Sequence, residues 1–178
     1  MSHPERGPIL IDWARASITQ ALGGPEAVPP DWAWMEERRG TFVTLRWKIV
    51  GELHGCIGNL GSDRTIVDDV AANAVAAALR DPRSEPIALG DLPDLHVEVS
   101  LLTPLERIAD LDAIRPGVDG IVLSWQDRRA TFLPIMWQTF PDQATFVAQL
   151  ERKAGIPRGT DRGELQLWRY TAERFEEE

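Results

Sequence analysis

The chain has 178 residues, and its 19 Lys or Arg residues against 28 Asp or Glu residues give a formal net charge of −9 at pH 7. This acidic balance argues against nucleic acid and anionic lipid as partners, because both are bound through lysine and arginine. With one cysteine, Cys56, no intramolecular disulfide can form. Since we find neither a signal-peptide pattern nor an apolar run of roughly 20 residues, we expect a cytoplasmic protein.

The first half of the chain alternates helical and extended patterns. Apolar residues that recur every three or four positions predict a helix over residues 9–22. Residues rich in β-branched and aromatic side chains predict strands over Thr41–Trp47 and Glu52–Ile57, joined as a hairpin. An alanine-rich face predicts a second helix over Thr65–Arg80. The candidates for its N-cap are Ser62, Asp63 and Thr65.

The second half predicts mostly strands. Leu95–Leu102 alternates apolar and polar residues, which is typical of a strand with one buried face. Ile121–Trp125 and Ala130–Leu133 predict a hairpin, and Asp142–Ala154 predicts a helix that ends at Gly155. A last strand is expected around Leu165, Leu167 and Arg169. Because helices are interleaved with hairpins, we expect an α+β fold with a mixed, mainly antiparallel sheet and flanking helices.

The segment from Gly51 to Asn59 is the strongest candidate for chemistry. Its glycines are tolerated where backbone or a ligand comes close. In an extended strand Glu52, His54 and Cys56 share one face, with successive members about 6.6 Å apart. A carboxylate, an imidazole and a thiol in one row suit nucleophilic catalysis, although a lone cysteine is more often a small buried hydrophobe.

Two further readings depend on polar residues outside this segment. A metal site has little support, because the chain has few Cys and His residues and none at the spacing of a zinc site. The alternative is a mixed site of His54, Cys56 and Glu98. We expect no metal. Glu98 either lies in water on the polar face of its strand or forms the wall of a cleft, where burial would suit it for acid–base work. The remaining histidines are His3 and His96.

Six segments, in order, resemble the AMMECR-one domain family, called AmmeMemoRadiSam system protein A in prokaryotes. Leu53–Gly58 reads LHGCIG and is similar to the family's LRGCIG hexapeptide. The other five are Asp81-Pro82-Arg83, Leu95–Pro104, Gly117–Leu123, Thr131–Pro134 and Lys153-Ala154-Gly155. The resemblance covers about residues 8–176, and it implies one domain over residues 1–178 with a larger lobe, a smaller lobe and a cleft between them.

The resemblance implies the fold more than a reaction, because the activity of the family is not established. It favours an enzyme or enzyme accessory that acts on a small molecule or a modification substrate through a cleft carrying Cys56. The alternatives are a non-catalytic protein-interaction or scaffold module and a small-molecule sensor. A functional link to Memo-type and radical-SAM proteins is implied, and no cofactor is expected. The candidate catalytic residues are Cys56 and Glu98, and the candidate binding residues are Leu53, His54, Gly55, Ile57, Gly58, Arg83 and Pro134.

Two positions depart from the family pattern. His54 stands where the family usually has Arg, and Ser84 stands where it usually has Phe. An arginine would place a permanent positive charge beside the thiol, whereas histidine is mostly neutral at pH 7. A base role for His54 would therefore not be available to relatives with Arg, so we do not expect His54 to be the catalytic base.

Overall fold

The computed structural model describes residues 5–61 and 63–177, which form two compact units. The first unit runs up to Leu102 and includes the chain from Glu173 onward, and the second comprises Thr103–Ala172. The helices are α1 (Arg6–Ala21), α2 (Ile66–Leu79) and α3 (Gln143–Ala154). The strands are β1 (Thr41–Trp47), β2 (Leu53–Gly58), β3 (Leu95–Leu102), β4 (Glu106–Ile108), β5 (Gly120–Trp125), β6 (Arg128–Phe132), β7 (Gln166–Tyr170) and β8 (Ala172–Glu176).

The first unit is a four-stranded sheet, in the order β2-β1-β3-β8, with α1 and α2 packed on one face. β1 pairs antiparallel with both β2 and β3. The alternation of β3 has the expected result, because Leu95, Val97, Val99 and Leu101 are all fully buried. They pack in one cluster with residues of α1 and α2, so the opposite face of this sheet carries the polar side chains.

The second unit is a sheet in the order β4-β7-β5-β6 with α3 packed on it. β5 pairs antiparallel with β6 and β7. α3 begins at the N-cap Asp142, whose carboxylate accepts from the Thr145 amide at 2.8 Å. It ends at Gly155 in the left-handed conformation, with φ of 70°. Both ends follow local sequence signals, and both were predicted.

The predicted α+β class is confirmed. The N-cap of α2 is Thr65, whose hydroxyl accepts from the Asp68 amide, while Ser62 lies outside the described residues. The prediction missed β4 and β8 and did not divide the strands between two sheets. No helix in the described ranges is long and apolar enough to cross a bilayer.

Candidate functional site around Cys56

Cys56 lies in a polar row that crosses the face of the first sheet opposite α1 and α2. Thr44 in β1 is the register partner of Cys56 in β2 and also of Glu98 in β3. Side chains that are directly opposite in adjacent strands point to the same face. Arg174 of β8 extends the row, since its guanidinium donates to the Glu98 carboxylate at 2.6 Å.

The thiol of Cys56 is half-buried and has a polar neighbour. The Thr44 hydroxyl donates a hydrogen bond to the Cys56 sulfur, with 3.2 Å between Oγ1 and Sγ. Thr44 itself is 8% exposed, so its hydroxyl is held in place by the surrounding protein. A donor that is fixed next to sulfur stabilises the negative charge that sulfur carries when it reacts.

The backbone of Cys56 is held at the outer edge of β2 by the segment that follows α2. The Cys56 amide donates to Asp81 Oδ2 at 2.9 Å, and Arg83 Nη2 donates to the Cys56 carbonyl at 3.1 Å. The Ser84 hydroxyl donates to the His54 carbonyl. β2 is an edge strand, so these three side chains satisfy backbone groups that would otherwise be left without a strand partner. We call Asp81, Arg83 and Ser84 the edge clamp.

Asp81 is the centre of the edge clamp. It is 4% exposed, and its carboxylate accepts from the Cys56 amide, the Arg83 amide and the Arg83 guanidinium. The hydrogen bond from the Arg83 guanidinium holds the pKa of Asp81 far below its usual range. Arg83 was predicted as a binding residue; in the structure its side chain is engaged with Asp81 and Cys56 and is 56% exposed.

His54 does not contact the thiol. It falls at a register shift between Leu45 and Arg46, and such an irregularity breaks the strict alternation of faces. Its ring is 4% exposed, with Nε2 at 3.2 Å from the Ala78 carbonyl and the ring edge-on to Trp47 at 5.5 Å. The expected row of Glu52, His54 and Cys56 is therefore wrong: Thr44 is the side chain that bonds to the sulfur.

The glycines of LHGCIG are required by backbone packing. A Cβ on Gly55 would lie 2.1 Å from the carbonyl oxygen of Ala77 in α2. A Cβ on Gly58 would lie 2.3 Å from the Thr41 carbonyl oxygen and as close to the Phe42 ring. Both distances are far below ordinary contact, so only glycine lets β2 approach α2 and β1 this closely.

Glu98 is neither fully solvated nor unpaired. Its side chain is 13% exposed, and its hydrogen bond raises the pKa of the Arg174 guanidinium. A carboxylate that accepts from arginine in this way holds the guanidinium in position. The carboxylate of Glu98 is thus engaged with Arg174, and its acid–base role stays a prediction.

The remaining predicted binding residues are dispersed. Leu53 is 38% exposed at the start of β2, and Ile57 packs beside the core of the first unit. Pro134 belongs to the second unit, where it begins a short 3₁₀ helix and lies close to Gly120. The interpretation of these residues as a binding set, and of a cleft beside them, stays a prediction.

Four residues of the site were missed by sequence reasoning: Thr44, Asp81, Ser84 and Arg174. Asp81 had a signal, since it lies in the Asp81-Pro82-Arg83 segment of the resemblance, but it was read as the end of a helix. Thr44 and Arg174 had none, because their positions depend on strand register. Within the described ranges, no group of three or more His, Cys, Asp or Glu residues is arranged to hold a metal ion. His3 lies outside those ranges.

Comparison with known proteins identifies the family. Residues 11–175 match the AMMECR1 family, and the chain belongs to it. A protein of Thermotoga maritima is 33% identical over 171 residues, which cover 93% of this chain and 95% of the relative. Protein MJ0810 of Methanocaldococcus jannaschii is 32% identical over 97% of this chain and 90% of its own length.

A solved structure has the same fold. The crystal structure of uncharacterized protein PH0010 from Pyrococcus horikoshii superposes with a TM-score of 0.88 at 33% sequence identity. The superposition covers 98% of this chain and 92% of that chain. The resemblance read from the six segments is therefore confirmed for family and fold.

Proposed function

We propose that this AMMECR1-family protein is an enzyme, or the accessory of one, that acts on a small-molecule or modification substrate through the Cys56 thiol. The observation that carries the proposal is the hydrogen bond from Thr44 to a half-buried sulfur. A structural cysteine has no need of a hydroxyl donor, whereas a nucleophilic or substrate-carrying sulfur gains from one.

The proposal is also supported by the contacts that hold β2, the strand that carries the thiol, in place. The edge clamp binds the amide and the carbonyl of Cys56, and Gly55 allows β2 to pack closely against α2. A nucleophile that is held in one position loses less entropy when it reacts, which favours catalysis over a mobile thiol.

In this proposal Arg174 is the cation that contacts the substrate, and Glu98 positions it. The Arg174 side chain remains 40% exposed although it pairs with Glu98 and Glu176. Its exposed N–H groups would donate hydrogen bonds to an oxygen of a substrate that lies along the polar row. The link to Memo-type and radical-SAM proteins, implied by the sequence resemblance, belongs to the same proposal and would place this thiol in a modification pathway.

The proposal is tested by alkylation of Cys56 with iodoacetamide, in which sulfur displaces iodide, followed by mass spectrometry at pH 7. We expect the native thiol to react at least as fast as the thiol of the urea-unfolded chain. In Thr44→Val the rate should fall by about fivefold, the equivalent of one hydrogen bond of about 1 kcal/mol. Thr19→Val, which removes a hydroxyl bonded to the α1 backbone, is the matched control and should leave the rate unchanged.

The proposal fails if the native thiol is alkylated about a hundredfold more slowly than the unfolded one, since the sulfur would then be protected. It fails equally if Thr44→Val and Thr19→Val react at the wild-type rate. In either case Cys56 would be a packing residue and the protein would act through another surface.

A further inference from the structure

The second unit contains a groove of about 830 Å³ beside the C-terminal end of α3. It lies between the last turns of that helix and the loop over residues 155–162, so all of its lining belongs to one unit. Its volume falls in the range of about 300–1,000 Å³ that small-molecule sites occupy. It shares no residue with the Cys56 site, so a ligand could occupy it whatever the function of the thiol.

The groove is positively charged in an acidic protein. Arg152, Arg158 and Arg162 line it against one carboxylate, Glu151. Arg162 pairs with Glu151 through Nε to Oε1 at 3.0 Å and Nη2 to Oε2 at 3.3 Å. Neither Arg152 nor Arg158 bonds to a carboxylate in the part of the chain that the structure describes. Two exposed arginines that have no carboxylate partner in the described ranges therefore line one groove, in a chain whose net charge is −9.

The two arginines have different structural roles. Arg152 lies in the last turn of α3, where a cation also complements the partial negative charge of the helix end. Arg158 lies beyond the helix and is exposed, so its charge is added to the groove without a part in ending α3. Replacement of Arg158 therefore tests ligand binding without disturbing the end of α3.

The groove also has an apolar side. Ala148, Ile156 and Pro157 are among its lining residues, and Ile156 also packs into the core of the second unit. Nothing lies within 4 Å of the position that a Cβ on Gly159 would take, so the loop backbone is open to an approaching molecule. Arginine side chains match the planar, paired oxygens of carboxylates and phosphates, and the aliphatic lining suits a hydrocarbon or aromatic body.

We propose that this groove binds a small organic oxyanion, a carboxylate or phosphate monoester that is attached to an apolar body. The oxyanion lies between Arg152 and Arg158, and the apolar body lies against Ile156 and Pro157. A carboxylate and a phosphate monoester both carry such an oxyanion. Probes of each kind distinguish between them.

The test is a titration of the isotopically labelled full chain, followed by amide chemical shifts at low ionic strength. The probes are phenyl phosphate, benzoate and inorganic phosphate. We expect saturable shifts in residues 148–162 with phenyl phosphate or benzoate, and the tighter of the two identifies the oxyanion. Arg158→Ala should raise that Kd about tenfold or more, whereas Arg38→Ala, which removes an exposed arginine of the first unit, should leave it within about twofold.

Three results would overturn the proposal. The shifts could stay linear up to about 10 mM of every probe, which means no site of useful affinity. Arg38→Ala could weaken binding as much as Arg158→Ala, which means that net charge alone attracts the anion. Inorganic phosphate could bind as tightly as phenyl phosphate, which means that the apolar lining takes no part. Because both substituted arginines are on the surface, the variants are expected to fold, and their amide spectra verify this.

Discussion

Replacement of Asp81 by asparagine should destabilise the protein through the edge clamp. Asn is nearly the same size as Asp, so the change removes the charge and leaves the packing. Oδ2 of Asp81 accepts from the Cys56 amide at 2.9 Å and from Arg83 Nη2 at 2.6 Å, while Oδ1 accepts from the Arg83 amide and Nε. In either orientation the Asn amide directs an NH₂ group at two of these donors, so bonds are lost and N–H groups face each other.

The magnitude follows from the number and exposure of these bonds. A hydrogen bond to a charged group contributes about 1.5–3 kcal/mol, and breaking one side of a fully buried pair costs about 3–5 kcal/mol. The Arg83 side chain is 56% exposed, so solvent weakens its share. We expect Asp81→Asn to lower the free energy of unfolding by about 2–3 kcal/mol, which is about 1 M in the urea midpoint.

The same variant has a predicted dependence on pH. The pKa of Asp81 in the fold lies below its ordinary value of 3.8, so the stabilisation is complete above about pH 5 and is lost as the pH falls below 3.8. The difference between wild type and Asp81→Asn should therefore be largest at pH 7 and shrink by pH 3. Other carboxylates contribute to acid unfolding in both proteins and cancel in the difference.

The assay is urea unfolding by tryptophan fluorescence at pH 7 and pH 3, with Asp12→Asn as the control for an exposed carboxylate. The control should stay within about 0.5 kcal/mol of wild type. Hydrogen exchange at the Cys56 amide should also be faster in Asp81→Asn, because this amide then faces either an NH₂ group or a neutral oxygen, which is a weaker acceptor than a carboxylate. A difference that is equal at the two pH values, or no larger than that of the control, would refute the account of the edge clamp.

The other predictions concern packing in each unit. Gly55→Ala places a Cβ 2.1 Å from the Ala77 carbonyl oxygen and should lower the free energy of unfolding by about 3 kcal/mol, measured by thermal unfolding. The control is Gly61→Ala, where nothing lies within 4 Å of the new Cβ, and it should lower that free energy by less than about 0.5 kcal/mol. Equal losses would contradict the close approach of β2 to α2. Burial raises the pKa of Tyr170 to about 12, so the unfolded chain ionises first and stability should fall as the pH rises from about 10 to 12. Tyr170→Phe should lose that alkaline decline and about 1 kcal/mol at pH 7, since the bond to the Phe132 carbonyl is gone; an unchanged decline would assign it to another group.

Local patterns in the sequence predicted the regular elements well. The alternation over Leu95–Leu102 predicted the bounds of β3, and the helix predicted over Asp142–Ala154 matches α3 to within one residue. Each of these features depends on residues that are neighbours in the chain. β8 was missed because its sequence, Ala172–Glu176, is mostly charged and has little strand character of its own. Its place in the sheet depends on pairing with a segment some 75 residues earlier.

The candidate site also has features that the sequence predicted and features that only the tertiary structure decided. The lone thiol, its glycine-rich strand and the family resemblance were all visible in the linear sequence, because they are matters of residue type and spacing. The partners of the thiol were not. A register shift turned His54 towards α2, and strand pairing brought Thr44 to the sulfur and Arg174 to Glu98. Register and edge contacts are set by packing between distant segments, so the residues that surround Cys56 were decided by the tertiary structure alone.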